Sequence, residues 1–167
     1  MALTTTILTK ITANQTGDND LGTPSFPVNY SATTSLGNGT ASSLADLLFT
    51  DQRTIAASGT EDLDLAGGLT DAFGTTLTFV NVKAIMIKAD PGNTNNVTVK
   101  PATTNGFLGP FNAAADTLSI PPAGAVLLQA PVSGWPVTAD TADLLTIANS
   151  SSGTGVTYDI IIVGTSA

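Results

Sequence analysis

Residues 75–90 read Thr75-Thr76-Leu77-Thr78-Phe79-Val80-Asn81-Val82-Lys83-Ala84-Ile85-Met86-Ile87-Lys88-Ala89-Asp90, the longest uninterrupted run of strand-forming side chains in the chain. Leu77 and Phe79 alternate with Thr76 and Thr78, the period-2 pattern of a half-buried strand. The phase then slips: Val82, Ala84 and Met86 lie on one parity while Ile85 and Ile87 lie on the other. Two arrangements satisfy this. A bulge near Phe79-Val80 re-aims the strand, or the far half is buried on both sides. In the second case one parity of Val82–Ile87 faces a core and the other meets another subunit or the N-terminal arm. Gly67, Gly68 and Gly74 before the run and Asp90-Pro91-Gly92-Asn93 after it mark it as one element.

Outward from this stretch the same texture repeats. Glu61-Asp62-Leu63-Asp64-Leu65 alternates acid and leucine, which predicts leucines inward and carboxylates in solvent. Asn96–Lys100, Thr117–Ile120, Gly124–Gln129, Leu144–Asn149 and Val156–Val163 are further short strands, separated by Gly- and Pro-containing turns. Roughly eight such strands without intervening amphipathic helices predict an all-β, jelly-roll-like antiparallel β-sandwich over residues 51–167. Residues 1–50 read as an extended N-terminal arm. Its first segment, Ala2–Thr12, is rich in Thr and carries Leu3, Ile7, Leu8 and Ile11; Phe26–Thr34 forms a second short strand. The one short helix expected is Ser42–Phe49, with Ser43 as N-cap, Asp46 three residues on, and Leu44, Leu47 and Leu48 at i, i+3 and i+4.

Composition narrows the chemistry. The 167 residues contain no Cys and no His, which removes disulfides, thiolate metal sites and the usual general base. Five Lys+Arg stand against 13 Asp+Glu, a net charge of −8, and this balance argues against binding to a phosphate backbone. No apolar run approaches the ~20 residues of a membrane helix, and the N-terminus has no basic, then apolar, leader pattern. Neither nucleic acid nor membrane is therefore an expected partner. Only 11% of residues are charged, so the polar surface consists of Thr, Ser, Asn and Gly, which pack against another protein at little electrostatic cost.

No constellation of catalytic residues emerges. Glu61, Asp62 and Asp64 share one strand and read as a solvated face, not as a pair flanking a scissile bond. Gly17-Asp18-Asn19-Asp20 and Asp90-Pro91-Gly92-Asn93 are oxygen-rich but lack the spaced ligands and closing Glu of a calcium loop, and read as turns. The Asn-x-Ser/Thr matches at Asn14, Asn29, Asn38, Asn96 and Asn149 follow from composition. No cofactor site is expected and the chain is not expected to be an enzyme. Phe107, Phe111 and Trp135 lie in loop contexts, where an aromatic either caps a core or anchors a partner.

Several segments together carry a resemblance: Thr60-Glu61-Asp62-Leu63-Asp64-Leu65-Ala66-Gly67, Val82–Lys88, Asn105-Gly106-Phe107-Leu108-Gly109-Pro110-Phe111, Ile120-Pro121-Pro122-Ala123-Gly124-Ala125, Gly134-Trp135-Pro136-Val137, Asp143–Asn149 and Val156–Gly164. In this order, over residues 51–164, the chain resembles capsid decoration, or cement, proteins of tailed bacteriophages, which are built on a jelly roll. The matching features are strand and turn texture, not chemistry, and residues 1–50 do not contribute. The resemblance implies a non-enzymatic virion protein, assembled in the host cytoplasm, that sits as a homotrimer on the outside of the head and bridges major capsid subunits. It implies a capsid-contact role for the arm residues Leu3, Ile7, Leu8 and Ile11. The candidate subunit contacts are Val82 and Met86, from the phase slip, and the loop aromatics Phe107, Phe111 and Trp135. A tail-tip or fibre-associated protein that binds host glycans, with Trp135 among exposed aromatics, is the alternative.

Overall fold

The computed structural model describes residues 2–167. Fourteen strands account for the regular structure: β1 (Thr5–Thr16), β2 (Ser25–Asn38), β3 (Leu44–Ala45), β4 (Leu47–Ile55), β5 (Thr60–Asp64), β6 (Ala66–Thr70), β7 (Thr76–Thr78), β8 (Asn81–Ala89), β9 (Val97–Pro101), β10 (Leu118–Ile120), β11 (Ala125–Gln129), β12 (Trp135–Pro136), β13 (Leu144–Asn149) and β14 (Val156–Thr165). Two sheets form the body. One runs β11-β8-β14-β4, with β12 also paired to β8; the other runs β10-β9-β13-β5. Every pairing within them is antiparallel.

The wiring is that of a jelly roll. Take the eight principal strands β4, β5, β8, β9, β10, β11, β13 and β14 as first to eighth. The sheets then have the orders 1-8-3-6 and 2-7-4-5, so first and last strands are neighbours and the chain wraps as two Greek keys. The core lies between the sheets. Phe49, Ile85, Ile87, Tyr158, Ile160 and Ile162 from one sheet meet Leu63, Val97, Val99, Leu145 and Ile147 from the other. Alternate residues of β9, and of β14 as far as Ile162, are buried, as strands with one face on a core require.

The expected helix at Ser42–Phe49 is not formed; among the described residues there is no helix. Ser43 lies at φ 60°, a left-handed turn conformation incompatible with an N-cap. Leu44–Ala45 pairs in parallel with Gly37–Asn38, and Leu47 begins β4. The reason is non-local. A two-turn helix is marginal in water, whereas β4 gains a nine-residue ladder with β14 and places Phe49 in the core. Leu47–Thr50 consequently belong to the sandwich, and the free-standing ribbon of the arm ends near Asn38.

The stretch 75–90 is two elements. Thr76–Thr78 pairs with β6, Phe79-Val80 forms a corner, and Asn81–Ala89 enters the large sheet. Phe79 N–H donates to Leu65 O at 2.9 Å and Val80 N–H to Thr165 O at 2.8 Å, so the corner's donors are satisfied. The register shift falls at Lys83, not at the corner: Ala84 faces Val163 and Val82 faces Gly164, leaving Lys83 as the extra residue. The bulge explains the phase slip, because it puts Val82 in the core together with Ile85 and Ile87. The opposite face is also covered: Ala84 and Val163 pack beneath Ile7, Leu36 and Ala45. A bulge is present, but four residues beyond the expected Phe79, and the cover on the outer face at Ala84 is the base of the arm. Gly164 permits the corner. A Cβ there would stand 2.3 Å from Asn81 O and 2.6 Å from Phe79 Cδ1.

Glu61 departs from its expected place in solvent. It shares parity with Leu63 and turns towards the opposite sheet. Its Oε1 accepts from the Tyr158 hydroxyl at 2.6 Å, and its Oε2 accepts from Arg53 Nε at 2.8 Å. Arg53 also reaches Asp51 at 2.9 Å. The hydrogen bond to Glu61 is the main cause that raises the Arg53 pKa. Burial, and after it the hydrogen bond to Glu61, raises the Tyr158 hydroxyl well above its ordinary value. One carboxylate on β5 thus ties the small sheet to β4 and β14 of the large one. Asp62 accepts from the Thr146 hydroxyl, and Asp64 Oδ1 accepts from Ala66 N–H at 2.8 Å.

Candidate interaction surface

Residues 5–38 fold into an antiparallel ribbon because the chain supplies two strand-forming runs, the first rich in Thr, around a strong turn signal. Thr5 pairs with Leu36, and the ladder continues without a shift to Thr16 and Ser25. Gly17 N–H donates to Pro24 O at 2.9 Å and Gly22 N–H to Asn19 O at 3.0 Å, closing the tip. Gly17-Asp18-Asn19-Asp20 is therefore that turn, and Asn19 Oδ1 also accepts from Leu21 N–H at 3.2 Å. Among the described residues no three Asp or Glu side chains converge as a metal site would need.

Residues directly opposite in an antiparallel pair share a face. The pairs Thr5–Leu36, Ile7–Thr34, Thr9–Ala32, Ile11–Tyr30, Ala13–Val28 and Gln15–Phe26 make one face, and it is predominantly apolar. The other face carries Thr6, Leu8, Lys10, Thr12 and Asn14 opposite Ser35, Thr33, Ser31, Asn29 and Pro27, and is polar apart from Leu8 and Pro27. The apolar face has two fates. At the base, Ile7 and Leu36 are buried on Ala45, Ala84 and Val163. Leu3 packs there too and donates its N–H to Asn38 Oδ1 at 2.8 Å. Gln129 Nε2 reaches Thr9 Oγ1 at 3.3 Å, the last side-chain tie between ribbon and body. Beyond it the same stripe runs into solvent: Ile11 is 62% exposed, Phe26 67% and Tyr30 59%, with Val28 also exposed. A ribbon of two strands is marginally stable alone, and a contiguous apolar stripe of this kind marks an interaction surface.

The expected contact residues divide accordingly. Ile11 and Leu8 are exposed on the ribbon, on its apolar and polar faces respectively, whereas Ile7 is spent on the protein's own sheet and Leu3 is half-buried beside it. Val82 and Phe107 are fully buried inside the sandwich, so neither is available to a neighbouring subunit. The bulge at Lys83 draws Val82 inward, and Phe107 fills the core end beneath Gly109. Phe111 and Trp135 are half-buried against the core; Trp135 is held in β12, opposite Val82. Met86 is half-buried on the outer face of the large sheet, between Leu127 and Ile161. Phe26, Val28 and Tyr30 were not among the expected contacts. Their signal was present as apolar residues at every second position, alternating with Pro27, Asn29 and Ser31.

A groove of about 670 Å³ lies beside the base of the ribbon. It is lined by Ala2, Leu3 and Gly39, by Leu48 and Thr50 of β4, and by Ala72 and Phe73 of the β6–β7 turn. Phe73 is 76% exposed there, and β4 is the terminal strand of its sheet, with one backbone edge unpaired by another strand. Asp46 and Asp71 make the groove acidic. Lys83 is buried next to the loop that follows β11; its ammonium donates to Val132 O at 2.8 Å, and burial lowers its pKa. No family model matches the chain, and no curated protein matches it.

Proposed function

We propose that this protein is a virion structural component, a capsid decoration protein that binds the outside of a phage head as a homotrimer and stabilises contacts between major capsid subunits. The observation that supports it best is the projecting ribbon. Its apolar stripe is half used on its own sheet and half presented, as an arm that lies across a neighbouring protein surface must be. The jelly-roll body fits the same reading: a rigid sandwich whose two sheets are tied through Glu61 anchors the arm. Few charges and many Thr, Ser and Asn side chains make close packing against other subunits inexpensive in desolvation. Trimerisation multiplies individually weak contacts with the head through avidity.

The test shortens the arm without disturbing the body. Replacing Ile11–Tyr30 with Asn-Gly joins the paired residues Lys10 and Ser31 through a two-residue hairpin turn. The shortened protein is expected to unfold in a single cooperative thermal transition and to lose binding to heads that lack the native protein, read by co-sedimentation. Unchanged binding would refute the role of the arm. Imaging of intact heads is expected to show added density at three-fold positions; density confined to tails would move the protein to the fibre-associated alternative.

A further inference from the structure

We propose that the exposed half of the arm's apolar face lies in the groove along β4 of a second copy of this chain. The inference rests on the reading of the arm as an interaction surface, and it names the occupant. Two unpartnered apolar surfaces are present on one molecule. They differ in shape as a ligand and its site do: a narrow ribbon presenting Ile11, Phe26, Val28 and Tyr30, and a groove lined by Leu3, Leu48 and Phe73. The protein's own fold already shows that this stripe packs on the outer face of this sheet, since Ile7 and Leu36 sit on Ala84 and Val163. The groove lies beside that contact: Leu3 belongs to both.

Area favours a like partner. The free part of the ribbon comprises the pairs from Lys10–Ser31 to Thr16–Ser25. At ~3.3 Å per residue and ~5 Å between strands, plus side chains, one face offers about 300 Å². A single arm-in-groove contact then buries about 600 Å² over both partners, short of the ~1,000 Å² a stable interface needs. Arms exchanged reciprocally between two copies put both contacts into one interface, about 1,200 Å², whereas in a ring of three each protomer takes part in two separate contacts of about 600 Å² that close on themselves. A foreign protein that only receives the arm supplies no second contact. The groove is lined by Asp46 and Asp71 with no Lys or Arg, and the stripe that enters it is uncharged: Lys10 lies on the ribbon's other face, and Asp18 and Asp20 lie at its tip. The stripe therefore brings no like charge of its own against the two carboxylates.

The experiment uses the full chain in the absence of any capsid. Light scattering after size exclusion is expected to give an integral multiple, two or more, of 16.8 kDa. Because the chain has no Cys, two single variants report the contact directly: Tyr30→Cys on the arm and Phe73→Cys in the groove, both at exposed positions. Each is first checked for an unchanged circular dichroism spectrum. Mixed and oxidised, they are expected to give a disulfide-linked dimer on the order of ten-fold more efficiently than either variant alone, because the contact holds the thiols at high effective concentration. A wild-type mass of one protomer, or a mixed yield no higher than the separate yields, overturns the proposal. A monomer that still binds heads through its arm overturns this inference alone, whereas an arm-exchanged oligomer that ignores heads overturns the decoration function alone.

Discussion

Glu61→Ala removes a side chain that joins both sheets by hydrogen bonds and charge, and its cost can be worked from the structure. The carboxylate accepts from the Tyr158 hydroxyl at 2.6 Å, and Tyr158 is fully buried. Removing the acceptor loses a hydrogen bond to a charged group and leaves a buried hydroxyl unsatisfied, together about 2–3 kcal/mol. The contact with Arg53 is worth less. The guanidinium side chain is 33% exposed and keeps Asp51, so after discounting for solvent about 0.5 kcal/mol is lost. The total, about 3 kcal/mol, corresponds to a fall in Tm of roughly 6–12 °C for a chain of this length. The assay is thermal and urea unfolding of the wild type, Glu61→Ala, Tyr158→Phe and the double variant at pH 7 and one protein concentration, since any self-association would make Tm concentration-dependent. Tyr158→Phe removes the orphaned hydroxyl, so the double variant is expected to lie about 1–2 kcal/mol closer to wild type than the sum of the singles. A loss below about 0.5 kcal/mol for Glu61→Ala, or additivity of the two changes, refutes the view that this carboxylate couples the sheets.

Two further predictions concern the same body. The folded state holds the Tyr158 proton more tightly than the unfolded chain, whose tyrosine titrates near pH 10, so its stabilising share is complete below pH 10 and declines as the pH rises above it; Tyr158→Phe is expected to flatten the alkaline fall in Tm, and equal slopes for the two proteins would contradict this. Gly164→Ala drives a methyl group into the Asn81 carbonyl oxygen and the Phe79 ring. A backbone oxygen cannot step aside, so a loss of about 2–3 kcal/mol is expected in urea unfolding, and a neutral result would mean that the corner is not constrained there.

The amino-acid sequence by itself determined much of this protein. Period-2 runs punctuated by Gly and Pro establish an all-β chain, because a residue's side of a strand depends only on its place in the alternation. The separate texture of the first segment announces an arm, and the missing His and Cys narrow the chemistry. The apolar stripe of the ribbon was legible in Phe26, Val28 and Tyr30, although its pairing with Ile11 was not. What only the tertiary structure decided are matters of partner. Thr75–Asp90 reads as one strand but divides at Phe79, because the chain must pass from the β6–β7 hairpin into the large sheet, over a glycine supplied eighty-five residues later at Gly164. Leu44–Phe49 carries a helical spacing, yet nine pairs with β14 outweigh two turns of helix. Glu61 reads as surface until Tyr158 and Arg53 are brought beside it. Alternation states that a face is apolar; it does not state what covers it. Strand pairing joins residues far apart in the chain, so Val82 went to the core, Ala84 went under the arm, and Ile11, Phe26, Val28 and Tyr30 remain uncovered.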